Sequence, residues 1–352
     1  MRRTVFLYFF LAFIAVSFIG GSVFTTYTQF VEEGPLEMRR EIVIPSGMSL
    51  KAVSRLLHRE GIIASPSVFE LGVRAGGHTL DLKAGEYSIP ARASSKMVMM
   101  ILISGQTHIR RLVVPEGLTS RQIVELMDSA KGLIGEVKYI PNNGTLLPDT
   151  YHYSYGDTKE GMIKRMKNAM KRTIDELWEK RADGLPFKEK KEAIVMASIV
   201  EKETSYDAER AHIASVFMNR LEKNMRLQSD PTVIYAITEG RLDLKRPVLY
   251  ADLKVQHPYN TYVIYGLPEG PISNPGRESI EAVLNPMQTN DLYFVANGRG
   301  GHVFAPTYEE HLKNVQKFRQ MRRAKRQKSK KSVLKKTGEM AVPTLMPSDR
   351  EK

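Results

Sequence analysis

The residues best placed to do chemistry are two glutamates at the end of an apolar helix. The run Glu192-Ala-Ile-Val-Met-Ala-Ser-Ile-Val-Glu-Lys-Glu203 is almost entirely apolar for eight residues before it reaches Glu201 and Glu203. At about 100° per residue, Glu203 continues the stripe of Val195, Met196 and Ile199, whereas Glu201 lies under Ile194 and Ser198. A carboxyl group set at the end of an apolar surface is desolvated, so its charged form is disfavoured and its pKa rises. Such a group keeps its proton near neutrality and can serve as a general acid, the chemistry that protonates a glycosidic oxygen. The competing reading pairs one or both glutamates with Lys202, Arg210 or another cation at the helix end, and helix geometry alone leaves both open.

The segments after this helix supply further polar side chains. A second amphipathic helix is expected over Ala214-Ser-Val-Phe-Met-Asn-Arg-Leu221, followed by Met225-Arg-Leu-Gln-Ser-Asp-Pro-Thr-Val-Ile-Tyr235. Asp230 before Pro231 is a helix-start signal, which makes capping the default role of Asp230, while Gln228 has no such structural role. The turns His257-Pro-Tyr-Asn-Thr-Tyr262 and Gly266-Leu-Pro-Glu-Gly-Pro-Ile-Ser-Asn-Pro-Gly276 carry Tyr and Asn on rigid backbone. Aromatic faces and amides suit a carbohydrate, whose rings offer apolar faces and hydroxyls, although tyrosine packs ordinary cores as well.

Several other chemistries find no support. The chain has no cysteine, which removes thiolate nucleophiles, disulfides, iron–sulfur clusters and thiolate zinc sites. It contains no phosphate-binding P-loop, no dinucleotide fingerprint, no His-Glu-x-x-His and no Gly-x-Ser-x-Gly, and its eight histidines are scattered, so no cofactor and no metal is expected. The net charge of +13 invites a nucleic-acid reading, but ten Lys and Arg and no acid lie between Arg319 and Lys336. Removing them leaves 42 basic against 39 acidic residues. The body is nearly neutral, and 319–352 reads as a disordered basic tail, the alternative being contact with anionic lipid or an acidic partner.

These side chains must be positioned by about two folded units, the number expected for 352 residues with 42% hydrophobic and 26% charged content. Thr4 to Thr25 runs uncharged and apolar for about 33 Å of helix, matching a bilayer core of about 30 Å. It predicts a single transmembrane anchor within 1–25, preferred over a cleaved signal peptide. Arg2 and Arg3 favour a cytoplasmic amino terminus, which places the rest outside the cytoplasm and disfavours nucleic acid as a partner. Residues 26–40 read as a linker. From Glu41 a strand and a Pro-Gly turn lead to Ser49, capping a helix with Val53, Leu56 and Leu57 on one face. The pattern returns at Leu112-Val-Val-Pro-Glu-Gly-Leu-Thr119, with Pro45, Gly47, Ser49 and Val53 matching Pro115, Gly117, Thr119 and Ile123. Between the copies a helix from about Ser67, a strand at 85–89 and a helix over 94–103 are expected. From Thr158 the texture turns helical, with Met162, Met166 and Met170 at core spacing.

The order of these segments resembles the endolytic murein lytic transglycosylases, the YceG-like or MltG family. The resemblance rests on the Pro-x-Gly modules, Pro148-Asp-Thr-Tyr151, Ala197-Ser-Ile-Val-Glu-Lys-Glu-Thr204, Arg226-Leu-Gln-Ser-Asp-Pro-Thr-Val233, Tyr259-Asn-Thr-Tyr262, Gly266-Leu-Pro, Tyr293-Phe-Val and Gly301-His302, across roughly 41–318. It implies an α+β fold: a small LysM-like module over 41–110, then a mostly helical, lysozyme-like catalytic domain with short strands over 111–318. It also implies a bacterial inner-membrane enzyme that cuts the β-1,4 bond between N-acetylmuramic acid and N-acetylglucosamine in nascent peptidoglycan, leaving 1,6-anhydro-muramyl ends near the cell-wall synthases. The second glutamate of the Glu-Lys-Glu-Thr block would be catalytic, which is Glu203 here. Gln228, Asp230, Tyr259, Asn260, Thr261 and Tyr262 are the expected substrate-binding residues. Two departures stand out: Asn143-Gly-Thr-Leu-Leu147 where relatives more often carry Glu-Gly and an aromatic, and the long basic tail. The alternative to an enzyme is a peptidoglycan-binding scaffold that recruits synthases, and a hydrolytic muramidase would differ only in its product.

Overall fold

The computed structural model describes residues 2–241 and 244–339, without the side chains of 2–5, 7–9, 12, 15, 325, 326 and 328–339. The mixture of helices and short strands is α+β, and the chain divides into two compact units. Unit one comprises residues 1–113, 125–138 and 150–163, and unit two residues 114–124, 139–149 and 164–352.

Unit one begins with α1 (Arg2–Val31), followed by β1 (Arg40–Ile44), α2 (Leu50–Arg59), α3 (Pro66–Ala75), β2 (Gly85–Ile89), α4 (Ser95–Ser104) and β3 (Arg110–Val113). Two antiparallel ladders form here: β1 pairs with β2, and β3 with β4 (Thr150–Tyr153). Leu57, Phe69, Tyr87, Ile89 and Leu102 fill the core between sheet and helices. The last turns of α1 join this core through Phe30, whose ring lies so close to α3 that a Cβ at Gly72 would come within 2.3 Å of it. Helix α1 covers residues 26–31, which the sequence assigned to a linker, because neither Gly nor Pro occurs between Gly21 and Gly34-Pro35.

The transmembrane anchor expected within 1–25 is not borne out: among the described residues no helix is long and apolar enough to cross a membrane. Seven residues of the apolar run, 4, 5, 7–9, 12 and 15, have side chains outside the described set. The described part of α1 nevertheless exposes Phe6, Phe13, Phe18 and Phe24.

Both copies of the strand-turn-helix pattern form. Gly47 and Gly117 take φ of +81° and +75°, the left-handed conformation that glycine adopts without a Cβ penalty. Ser49 accepts the Ala52 N–H at the start of α2. In the second copy, α5 (Ser120–Asp128) starts with a reciprocal cap: the Gln122 side chain accepts Thr119 N–H at 2.9 Å, and Thr119 Oγ1 accepts Gln122 N–H at 3.3 Å. Val53 and Ile123 are both buried.

Unit two is mostly helical. It holds most of α6 (Lys159–Glu179), then α7 (Lys190–Glu203), α8 (Asp207–Glu222), α9 (Asp230–Thr238), α10 (Arg277–Leu284), the hairpin β5 (Tyr293–Ala296) and β6 (His302–Ala305), and α11 (Tyr308–Glu339). Met196, Ile199, Val200, Ile213, Phe217, Ile280 and Val283 make its core. Helix α7 is buried on all sides from Val195 to Val200, which explains why its sequence is almost entirely apolar there. The basic stretch from Arg319, read from sequence as the start of a disordered tail, continues α11 as far as Glu339. Lys, Arg and Gln are good helix formers, and no proline interrupts them. The remainder of that expected tail, 340–352, lies outside the described residues.

Candidate active site

Glu201 and Glu203 are two residues apart on α7, about 200° around the helix, and they meet opposite environments. Glu201 is drawn into a buried polar knot, with the Arg210 guanidinium 3.5 Å from Oε1 and Gly276 N–H donating to Oε2 at 2.8 Å. Its side chain is 5% exposed and that of Arg210 7%, so this carboxylate is compensated and closed off from substrate. Arg210 also bridges to Glu116 at 3.3 Å and to Asp207.

Glu203 instead opens on a pocket of about 330 Å³ within unit two, lined among others by Gln228, Asp230, Tyr262, Tyr293, His302 and His311. The Ser229 hydroxyl donates to Glu203 Oε1. Burial pushes the Glu203 carboxyl up to about 7, and the nearby Asp230 charge adds to that. The Ser229 hydrogen bond and the Arg220 charge oppose it. Arg220 lines the same pocket, with Nε donating to Leu292 O at 2.6 Å and Nη1 to Leu227 O at 2.7 Å. A cation is thus held near Glu203 without forming an ion pair with it among the described residues. Such a cation can steady the carboxylate after proton loss without taking the proton in advance.

The segments expected to bind substrate separate into wall, support and a second cavity. Gln228 adopts φ of +52°, an uncommon conformation for a residue with a Cβ, with its N–H donating to Thr261 O at 3.1 Å. This turn carries Gln228 to the pocket rim and Ser229 to Glu203. The capping role expected for Asp230 is not what the structure shows. Ser229 occupies the cap position of α9, and the Asp230 carboxylate accepts the Tyr262 hydroxyl at 2.7 Å along the pocket wall. Burial, then the Asp230 hydrogen bond and charge, raise the Tyr262 phenol, so it stays a donor.

Asn260 and Thr261 do not line this pocket. Both are fully buried: Asn260 Nδ2 donates to Leu253 O at 3.1 Å and Val255 O at 2.8 Å, and Thr261 Oγ1 accepts Ser229 N–H at 3.0 Å. They fix the turn that presents Tyr262 and Ser229. Tyr259 lines a different and larger cavity, of about 720 Å³, with Tyr235, Asn143 and Pro271.

Sequence reasoning did not single out Ser229, Arg220, Tyr308 or His311. Ser229 and Arg220 stand inside segments that drew notice, but nothing in their types marked them. Tyr308 and His311 open α11 after the last recognisable motif, and only the hairpin before them carries α11 to the pocket. Among the described residues no cluster of three or more His, Asp or Glu is placed to hold a metal ion.

The profile of the YceG-like family matches residues 42–317. The chain is 34% identical over 313 residues to the endolytic murein transglycosylase of Bacillus subtilis, covering 79% of this chain and 84% of that protein. It is 28% identical over 319 residues to the endolytic murein transglycosylase of Streptococcus pneumoniae, covering 77% of this chain and 57% of the relative. Among solved structures, a putative YceG-like protein from Listeria monocytogenes matches 79% of this chain and 99% of its own at 32% identity, with a TM-score of 0.47. On the extent of the profile match and the identity to the Bacillus protein, the chain belongs to the YceG-like family.

Proposed function

We propose that this protein is a peptidoglycan lytic transglycosylase in which Glu203 acts first as acid and then as base. The observation that carries the reading is a carboxyl group with its pKa raised to about 7, opening on an aromatic-walled pocket, while its neighbour Glu201 is neutralised by Arg210. Protonated Glu203 donates to the glycosidic oxygen as the bond from the muramyl anomeric carbon breaks. The resulting carboxylate then takes the proton of the muramyl 6-hydroxyl, whose oxygen closes on that carbon. No water is consumed, and the carboxyl ends protonated as it began.

A hydrolytic outcome is the second reading, favoured by one feature: Asp230 brings another carboxylate to the same pocket, where it could activate water. Products of native protein and Glu203→Gln on purified glycan strands separate the readings by mass. Anhydro-muramyl ends from the native protein alone support the transglycosylase, reducing ends favour the hydrolase, and strand binding without cleavage by either protein points to a scaffold.

The same proposal puts the reaction outside the cytoplasm, on strands close to a membrane, with residues 41–110 as a LysM-like binding module. The exposed phenylalanines of α1 would then be covered by lipid, since large apolar patches in water mark interaction surfaces. Co-sedimentation with phospholipid vesicles, lost on truncation before Thr26, tests that part.

A further inference from the structure

Helix α11 changes character along its length. Its first turn carries Tyr308 and His311 to the wall of the Glu203 pocket. From Arg319, about 12 Å along the axis from His311, it leaves the folded body. Residues 319–324 are exposed one after another over more than a full turn, so no face of the helix is packed there. The family profile ends at residue 317, which puts this basic half outside the matched region.

The charge on this half is sorted by face. Ten Lys and Arg and no acid lie between Arg319 and Lys336. At about 100° per residue, all four arginines, Arg319, Arg322, Arg323 and Arg326, fall with Lys330 inside an arc of about 100°, a stripe about 17 Å long. The remaining five, Lys325, Lys328, Lys331, Lys335 and Lys336, fall on the opposite side. The one ion pair on α11 among the described residues joins Lys313 to Glu309, ahead of the stripe, and leaves Arg319, Arg322 and Arg323 unpaired. Like charges so close together on a helix repel one another, and an anionic surface relieves that repulsion. Guanidinium forks match phosphate oxygens two by two, which an ammonium does not. A straight stripe of such forks suits phosphates lying in one plane, as in a bilayer of anionic phospholipid. The stretch has no aromatic residue on which unpaired bases would stack.

We propose that the arginine face of α11 is a docking surface for the headgroups of an anionic phospholipid bilayer. The choice of lipid over another phosphate-bearing polymer rests on the extracytoplasmic placement in the proposed function. The phosphate recognition does not, and neither depends on the chemistry at Glu203. Between 319 and 330 this face holds no apolar residue, so the helix lies on the headgroups without inserting, and salt weakens the contact. An apolar element and a basic patch hold a membrane together better than either alone, and the exposed phenylalanines of α1 are the apolar element here. Because one helix carries both the stripe and the pocket wall, docking keeps the Glu203 pocket within about 30 Å of the headgroups.

The test is co-sedimentation of the full-length protein with vesicles of phosphatidylcholine alone and of phosphatidylcholine with about a third phosphatidylglycerol. Binding to the neutral vesicles reads the apolar contribution of α1, and the gain on the anionic vesicles reads α11. One variant combines Arg319→Gln, Arg322→Gln, Arg323→Gln, Arg326→Gln and Lys330→Gln. A second combines Lys325→Gln, Lys328→Gln, Lys331→Gln, Lys335→Gln and Lys336→Gln, removing the same charge from the opposite face, and Gln preserves helix propensity in both. The first should lose about a hundredfold of the gain and the second about tenfold or less. Equal losses would mean diffuse attraction with no docking face and would overturn the proposal, as would the absence of any gain on anionic vesicles. Tighter binding to duplex DNA or to soluble polyphosphate than to the anionic vesicles, at equal phosphate concentration, would overturn the lipid assignment. Stripe-dependent binding to anionic vesicles with none to neutral ones would sink the lipid contact of α1 and uphold that of α11.

Discussion

Replacing Glu203 by Gln should make the protein more stable at alkaline pH, and the size of the gain follows from the structure. Native Glu203 holds its proton more tightly than the unfolded chain does, about 7 against 4.5. Between those values the folded state binds more protons than the unfolded state, so stability falls as pH rises through this window. At about 1.36 kcal/mol per tenfold change in proton affinity, the full displacement corresponds to about 3 kcal/mol. Solvent reaching the pocket side of the carboxyl reduces that to about 1–2 kcal/mol. Glutamine keeps the shape and the acceptor for Ser229 but cannot ionise, so the variant escapes the penalty. Urea unfolding of both proteins from pH 4 to pH 8.5 should give curves that coincide near pH 4, diverge between about pH 4.5 and 7 and stay apart by a constant amount above that, with the variant more stable. Glu116, which burial and the Glu201 charge also raise to about 7, titrates in both proteins and cancels in the difference. Parallel stability curves would refute the desolvation argument, and with it the physical basis for Glu203 as an acid.

Three further outcomes are expected. Ser229→Ala removes a donor to the carboxylate and should move the alkaline limb of the kcat/KM profile to higher pH, whereas Asp230→Asn removes a nearby negative charge and should move it lower; shifts of the same sign would contradict the electrostatics described. Arg210→Ala leaves Glu201 buried without its cation and should cost about 3–5 kcal/mol in urea unfolding, a loss under 1 kcal/mol meaning that the pair is far more hydrated than its burial indicates. Gly144→Ala, at a left-handed position with 2.6 Å approaches to Ile194 and Pro271, should cost about 1–3 kcal/mol, measured as a lowered Tm, and an unchanged Tm would show that the loop relaxes freely.

The sequence by itself determined the elements whose signals are local. Ser49 and the Pro-x-Gly turns marked the repeated strand-turn-helix pattern because caps and left-handed glycines act within a few residues. The strand expected at 85–89 and the methionines at 162, 166 and 170 matched β2 and α6. The apolar run ending at Glu203 identified α7, since a helix buried on all sides has no polar face to show. Helix angle favoured Glu203, which continues the stripe of Val195, Met196 and Ile199, but could not tell an acid from an ion-paired carboxylate, for it records direction and not what waits there. The tertiary structure placed Arg210 and Gly276 against one glutamate, and Ser229, Asp230 and the Arg220 charge around the other, from segments up to 75 residues away. Distance along the chain also hid the division of the Tyr259–Tyr262 turn, whose four residues proved to serve two cavities and a buried hinge of hydrogen bonds. Alternate directions of side chains on a tight turn are set by what packs behind it, and only the folded chain supplies that.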